Sequence, residues 1–118
     1  MGDEPFAPLR EPAVRGVDSV DGALVVHLAG ELDLYNAHDL RAALAEAIDA
    51  SPRRVVVDMA DVDFVDSTAL GVLVEARSRL GRDGLALAAP QLETRRTLQV
   101  SGLDRHLPVH ESVEDALL

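Results

Sequence analysis

From Ala13 onward the chain alternates short apolar runs with helical stripes, while its first twelve residues follow neither rhythm. Residues 1–12 carry Pro5, Pro8 and Pro12 and no periodic apolar positions, so they are expected to form a disordered tail. One domain is expected over 13–118. Asp21-Gly22 has the residue types of a two-residue hairpin turn with positive φ at both central positions. It predicts an edge strand, Val14 to Val20, paired with a stronger one, Ala23 to Ala29, whose Leu24-Val25-Val26 run calls for burial on both faces. Leu40, Leu44, Ala47 and Ile48 then fall on one helical stripe, with Asn36 as N-cap and Asp39 in the first turn.

Val55-Val56-Val57 predicts a short buried strand, followed by an aspartate-rich loop holding Asp58, Asp61, Asp63 and Asp66. A second helix is expected from about Ser67 to Leu80, closed by Gly81. The remaining elements are a strand at Leu85 to Ala89, a helix at Leu92 to Ser101 stopped by Gly102, and a strand at Leu107 to His110. A last helix is capped by Ser112, with Asp115 three residues on. Strands alternating with helices after an initial hairpin give a single α/β domain. About five strands form a mixed, mostly parallel sheet covered by about four helices.

Charge and composition narrow what such a domain does. The 118 residues carry 21 acids against 11 bases, a formal charge of −10. Binding nucleic acid requires cations that displace counterions from phosphates, and anionic membranes make the same demand, so neither partner is expected. There is no cysteine and every base is an arginine. That removes disulfides, thiolate metal sites, the lysine of a phosphate-binding loop and Schiff-base chemistry. His106 and His110 are separated by Pro108, and His27 and His38 are isolated, so no metal site or cofactor is expected. No G-x-S-x-G elbow surrounds any serine, and the domain reads as a non-enzyme with no catalytic residue. No apolar run reaches membrane-spanning length and the N-terminus is unlike a signal peptide, so a cytoplasmic location is expected.

The helix from Ser67 carries the most specific signal. At about 100° per residue, Ala69, Val72, Leu73, Ala76 and Leu80 gather on one side as the core face. The opposite side holds Ser67, Gly71, Val74 and Ser78, with Leu70 at its edge. A surface helix normally fills such positions with charged residues. Gly71 stands out further, since glycine costs about 1 kcal/mol relative to alanine inside a helix. Such a helix is either buried on both sides, carries a harmless apolar spot, or docks another protein. Two-sided burial is hard in so small a domain, so a docking face is expected, and a glycine within it allows close backbone approach. Ser67, directly after Asp66, has the ordinary role of an N-cap open to it. Its place at the lip of the docking face points to a switch instead.

These residues resemble the STAS domains, in particular the bacterial anti-sigma factor antagonists. Asp66-Ser67-Thr68-Ala69-Leu70-Gly71 is similar to the family's D-S-[ST]-G-L-G, and Gly30-Glu31-Leu32-Asp33 to its G-E-[LI]-D. Val55 to Asp58 with Val62 to Val65 resembles its lead-in to the serine, and Ser101 to Val109 its C-terminal T-G-L-x-x-x-F-P. The motifs occur in order over about residues 14–118. Ala69 replaces the usual glycine, and Asn36-Ala37-His38 stands where Thr-Ala-Pro is common.

The resemblance implies partner switching. The unphosphorylated protein would bind an anti-sigma factor with serine kinase activity and so free a sigma factor. Phosphorylation at Ser67 would release it, and a serine phosphatase would restore it. Glu31, Asp33, Asp66, Thr68, Leu70, Gly71 and Val74 would form the partner-binding surface of a monomer or weak dimer. Two other readings share part of the pattern. A non-phosphorylated STAS scaffold or transporter-associated subunit would keep the same fold. A receiver domain would use Asp58 as phospho-acceptor, but needs a lysine that this chain lacks.

Overall fold

The computed structural model describes residues 12–118. The tail expected over 1–12 therefore lies, except for Pro12, outside the described residues. The hairpin forms as the sequence predicts: β1 (Val14–Val20) runs antiparallel to β2 (Ala23–Leu32), and Asp21 and Gly22 take φ of 50° and 84°. Then come α1 (Ala37–Asp49), β3 (Val55–Val65), α2 (Ser67–Leu80), β4 (Leu85–Ala88) and α3 (Leu92–Ser101). A 3₁₀ turn at Leu103–Arg105, β5 (Val109–His110) and α4 (Val113–Leu117) complete the chain. The strands lie in the order β1-β2-β3-β4-β5, with every pair after the first parallel.

Strand alternation divides the interior in two. Val26 and Leu28, Val55, Val57 and Met59, and Leu85 and Leu87 pack against α1, α2 and α3 through Leu40, Leu44, Leu73 and Leu98. Crossovers of one hand between successive neighbouring strands, right-handed by the general rule for parallel strands, keep all three helices on that one face. The intervening residues Val25, Val56, Ala86 and Ala88 meet Ala116 of the short α4 on the other face. Arg54 and Arg53 hold that helix by donating to the carbonyls of Ala116 and Leu117, at 2.6 and 3.1 Å. Among the described residues, no helix is long and apolar enough to cross a membrane.

The main departure from the sequence reading is β3. A three-valine strand followed by an acidic loop was expected, but pairing with β2 continues through Val65. Two extra residues are absorbed on the way. β2 advances from His27 to Ala29 while β3 advances from Asp58 to Asp61, and later from Gly30 to Glu31 while β3 moves from Val62 to Phe64. These are bulges, which bend and twist the strand without ending it. Asp58 Oδ1 accepts from the Ala60 N–H at 3.1 Å within the first. Gly30, opposite the second, has φ of 75°, a conformation that favours glycine. Asp58, Asp61 and Asp63 are thus strand residues.

Both ring nitrogens of His27, in mid-β2, face carboxylates. Nδ1 lies 2.7 Å from Asp58 Oδ2 and Nε2 lies 2.8 Å from Asp18 Oδ2. Ionised carboxylates only accept, so the doubly protonated imidazolium satisfies both contacts. Burial pulls the His27 pKa down, but the hydrogen bonds and charges of Asp58 and Asp18 outweigh it, leaving the pKa above the ordinary histidine value.

Candidate functional site

The site forms where β2 and β3 end and α2 begins. The Asp66 N–H donates to the Leu32 carbonyl at 2.9 Å, tying the start of α2 to the end of β2. Asp66 is also the N-cap. Its Oδ1 accepts from the Ala69 N–H at 3.0 Å, satisfying one of the helix's unpaired amides. Its Oδ2 accepts from the Leu34 N–H, also at 3.0 Å, in the loop between β2 and α1. The capping role open to Ser67 in the sequence therefore falls to its neighbour. Ser67 is the first residue of α2, with its side chain exposed.

The loop is fixed by further local bonds. Asp33 Oδ1 accepts from the Tyr35 N–H at 3.0 Å, the local turn that aspartate favours. Asn36 does not cap α1 with its side chain, as the sequence suggested. Its Oδ1 instead accepts from the Asp33 N–H at 2.9 Å, and its Nδ2 donates to the Glu31 carbonyl at 2.7 Å. Asn36 serves the loop, and through it the backbone on which Glu31 and Asp33 stand.

Most residues expected to face a partner come together here. Ser67 and Gly71 are exposed, Thr68 and Val74 are half-buried, and Glu31 and Asp33 stand at the end of β2 beside the loop. A Cβ built on Gly71 would meet nothing within 4 Å, so the fold itself makes no demand for glycine at that position. Leu70 differs. It is 6% exposed and belongs to the core, so its side chain offers little to a partner. Leu70 stands three residues before Leu73, so the two share one side of the helix and the core face widens to take in Leu70.

Three residues at this end of the sheet were not singled out from the sequence. Leu34 is 65% exposed, Tyr35 84% and Phe64 52%. Phe64 pairs with Glu31 across β2 and β3 and borders a groove of about 110 Å³ that also takes in Asp63, Glu93 and Thr97. The available signal was aromatic scarcity: the chain has one tyrosine, two phenylalanines and no tryptophan, and Tyr35 and Phe64 fall on no periodic apolar stripe. The rival phospho-acceptor Asp58 lies away from this end, with Oδ1 bonded to Ala60 N and Oδ2 to His27.

This fold and site define a STAS domain. Residues 12–116 match the STAS domain family, and the chain belongs to it. It is 30% identical over 98 residues to the anti-sigma-F factor antagonist RsfB of Mycobacterium tuberculosis, covering 82% of this chain and 80% of that one. RsfA, another anti-sigma-F factor antagonist of that organism, is 31% identical over 101 residues, covering 82% and 79%. The crystal structure of an anti-sigma factor antagonist from Mycobacterium paratuberculosis superposes with a TM-score of 0.82 at 32% identity, covering 94% of each chain.

Proposed function

We propose that this chain is an anti-sigma factor antagonist, a cytoplasmic binding protein that uses no cofactor, and that phosphorylation of Ser67 switches its binding off. One observation carries the switch. Asp66 does the capping, so Ser67 places an exposed hydroxyl at the lip of an uncharged helical face with no structural duty to perform there. The names of the related proteins support the antagonist role. The partner is an anti-sigma factor with serine kinase activity, and a serine phosphatase resets the system.

Phosphorylation adds about −1.5 to −2 charges and three acceptor oxygens. The fold tolerates them, because an anion at a helix N-terminus gains about 0.3–1 kcal/mol from the dipole. A docked partner does not, because it must strip water from a dianion set beside Asp66 and among apolar side chains. A loss of only 1.4 kcal/mol in binding is tenfold in affinity. Mass spectrometry after incubation with ATP and the host's purified anti-sigma factor kinases tests the assignment. Phosphate on Ser67 is the expected result. Phosphate on Thr68 would displace the assignment, and none with any kinase would leave a constitutive scaffold as the better account.

A further inference from the structure

Hydrophobic burial favours placing aromatic side chains in the core, where a phenylalanine contributes about 1.5–3 kcal/mol. This chain fills its described core with leucine, valine, alanine and methionine. It leaves Tyr35 and Phe64 in water at the end of the sheet that carries Ser67. Both stand on backbone that is already fixed. The Tyr35 amide is bonded to Asp33, its neighbour Leu34 is bonded to Asp66, and Phe64 is held in the β2–β3 ladder opposite Glu31. Exposed aromatics on rigid backbone lose little entropy on docking, and tyrosine is among the residues that dominate binding energy at protein interfaces.

The charge on this side is mainly acidic: Asp63 and Glu93 share the groove with Phe64, with Arg96 3.8 Å from Glu93, and the whole chain carries a formal charge of −10. Arg15, at the start of β1, is ion-paired with Asp61 at 2.9 Å. An anionic lipid surface would be repelled by this rim, and so would nucleic acid.

We propose that Phe64 and Tyr35 are the apolar anchors of the docking face, and that the partner surface they fit is a protein surface with an apolar notch rimmed by arginine or lysine. This rests on the reading of the Ser67 face as the anti-sigma factor site and adds residues and partner chemistry to it. Opposite charges across the rim steer association and weaken with salt, while the aromatics in the notch slow dissociation.

The test first finds which of the host's purified anti-sigma factor kinases binds the unmodified chain by calorimetry. That kinase is then titrated with Phe64→Ala, Phe64→Leu, Tyr35→Ala and, as an exposed control on α3, Val100→Ala. The expected result is at least a tenfold loss for the two aromatic-to-alanine variants and a partial recovery for Phe64→Leu. Val100→Ala should stay within twofold, and wild-type affinity should fall severalfold from 50 to 300 mM salt (on the order of the change expected for a charged rim). Wild-type binding that is unchanged in Phe64→Ala and Tyr35→Ala would overturn the anchors, and salt-independent binding would overturn the basic rim. If no kinase binds wild type, the antagonist reading itself fails.

Discussion

Asp66 joins two elements that are 32 residues apart. From the N-cap of α2, its Oδ2 accepts the Leu34 amide at 3.0 Å while its Oδ1 accepts the amide of Ala69. One carboxylate therefore fixes both the start of α2 and the loop carrying Leu34 and Tyr35. The neighbouring Ser67 hydroxyl is left without a capping role.

Asp66→Ala should accordingly cost about 1–2 kcal/mol of stability, at the upper end for a lost N-cap because the loop bond goes with it. Ser67→Ala should stay within about 0.5 kcal/mol, as expected of an exposed side chain with no capping role. Urea unfolding of the two variants checks this. Equal losses in both would mean that serine shares the cap.

Gly71→Ala should separate stability from function. The added methyl meets nothing within 4 Å in the fold, and alanine is the better helix former by about 1 kcal/mol. The unfolding midpoint should therefore rise. On the proposed docking face the methyl would occupy the space left for the partner's backbone, so affinity for the partner should fall. A variant that is stabilised and binds as well as wild type would remove Gly71 from the interface.

His27 predicts a pH dependence of the opposite sense to that of a carboxylate with a depressed pKa. Its pKa is raised in the folded state by Asp58 and Asp18, so the native protein binds the proton more tightly than the unfolded chain. The stabilisation is complete below the unfolded value near 6.5 and is lost as pH rises through the folded value. Urea midpoints of wild type should therefore drop across neutral pH relative to those of His27→Gln. A constant difference between the two proteins from pH 5.5 to 8.5 would show that the bridge does not titrate (a window of about one unit below to two above histidine's ordinary pKa).

Much of the architecture was legible because it rests on local chemistry. Asp21-Gly22, Gly81 and Gly102 marked turns and helix ends, and the apolar stripe from Ala69 to Ala76 marked the buried side of α2. β3 was misread because a bulge is a property of a strand pair. Asp58 and Asp61 look like turn residues until β2, with Gly30 at positive φ, provides the partner that keeps the strand extended. The outward position of Ser67 and Gly71 was readable from helical periodicity, whereas the N-cap role that the sequence offered to Ser67 fell to Asp66. The bond between Asp66 and Leu34 was not readable, because nothing local in the sequence brings those residues together. Tyr35 and Phe64 escaped for a related reason. Periodicity finds residues that face a core, whereas these two stand out by failing to face one.

The central claim, that charge on Ser67 turns binding off, is tested most directly by calorimetry of four forms against the cognate anti-sigma factor kinase. These are wild type, Ser67→Ala, Ser67→Asp and the stoichiometrically phosphorylated chain. The account predicts that alanine binds within about threefold of wild type, since less than about 1 kcal/mol is at stake at an exposed, non-capping position. Aspartate should be weakened by roughly tenfold, because it carries one charge and two oxygens where phosphate carries more. The phosphorylated chain should be weakest of all. Equal affinity for all four forms would contradict the switch and leave a STAS domain that binds its partner constitutively.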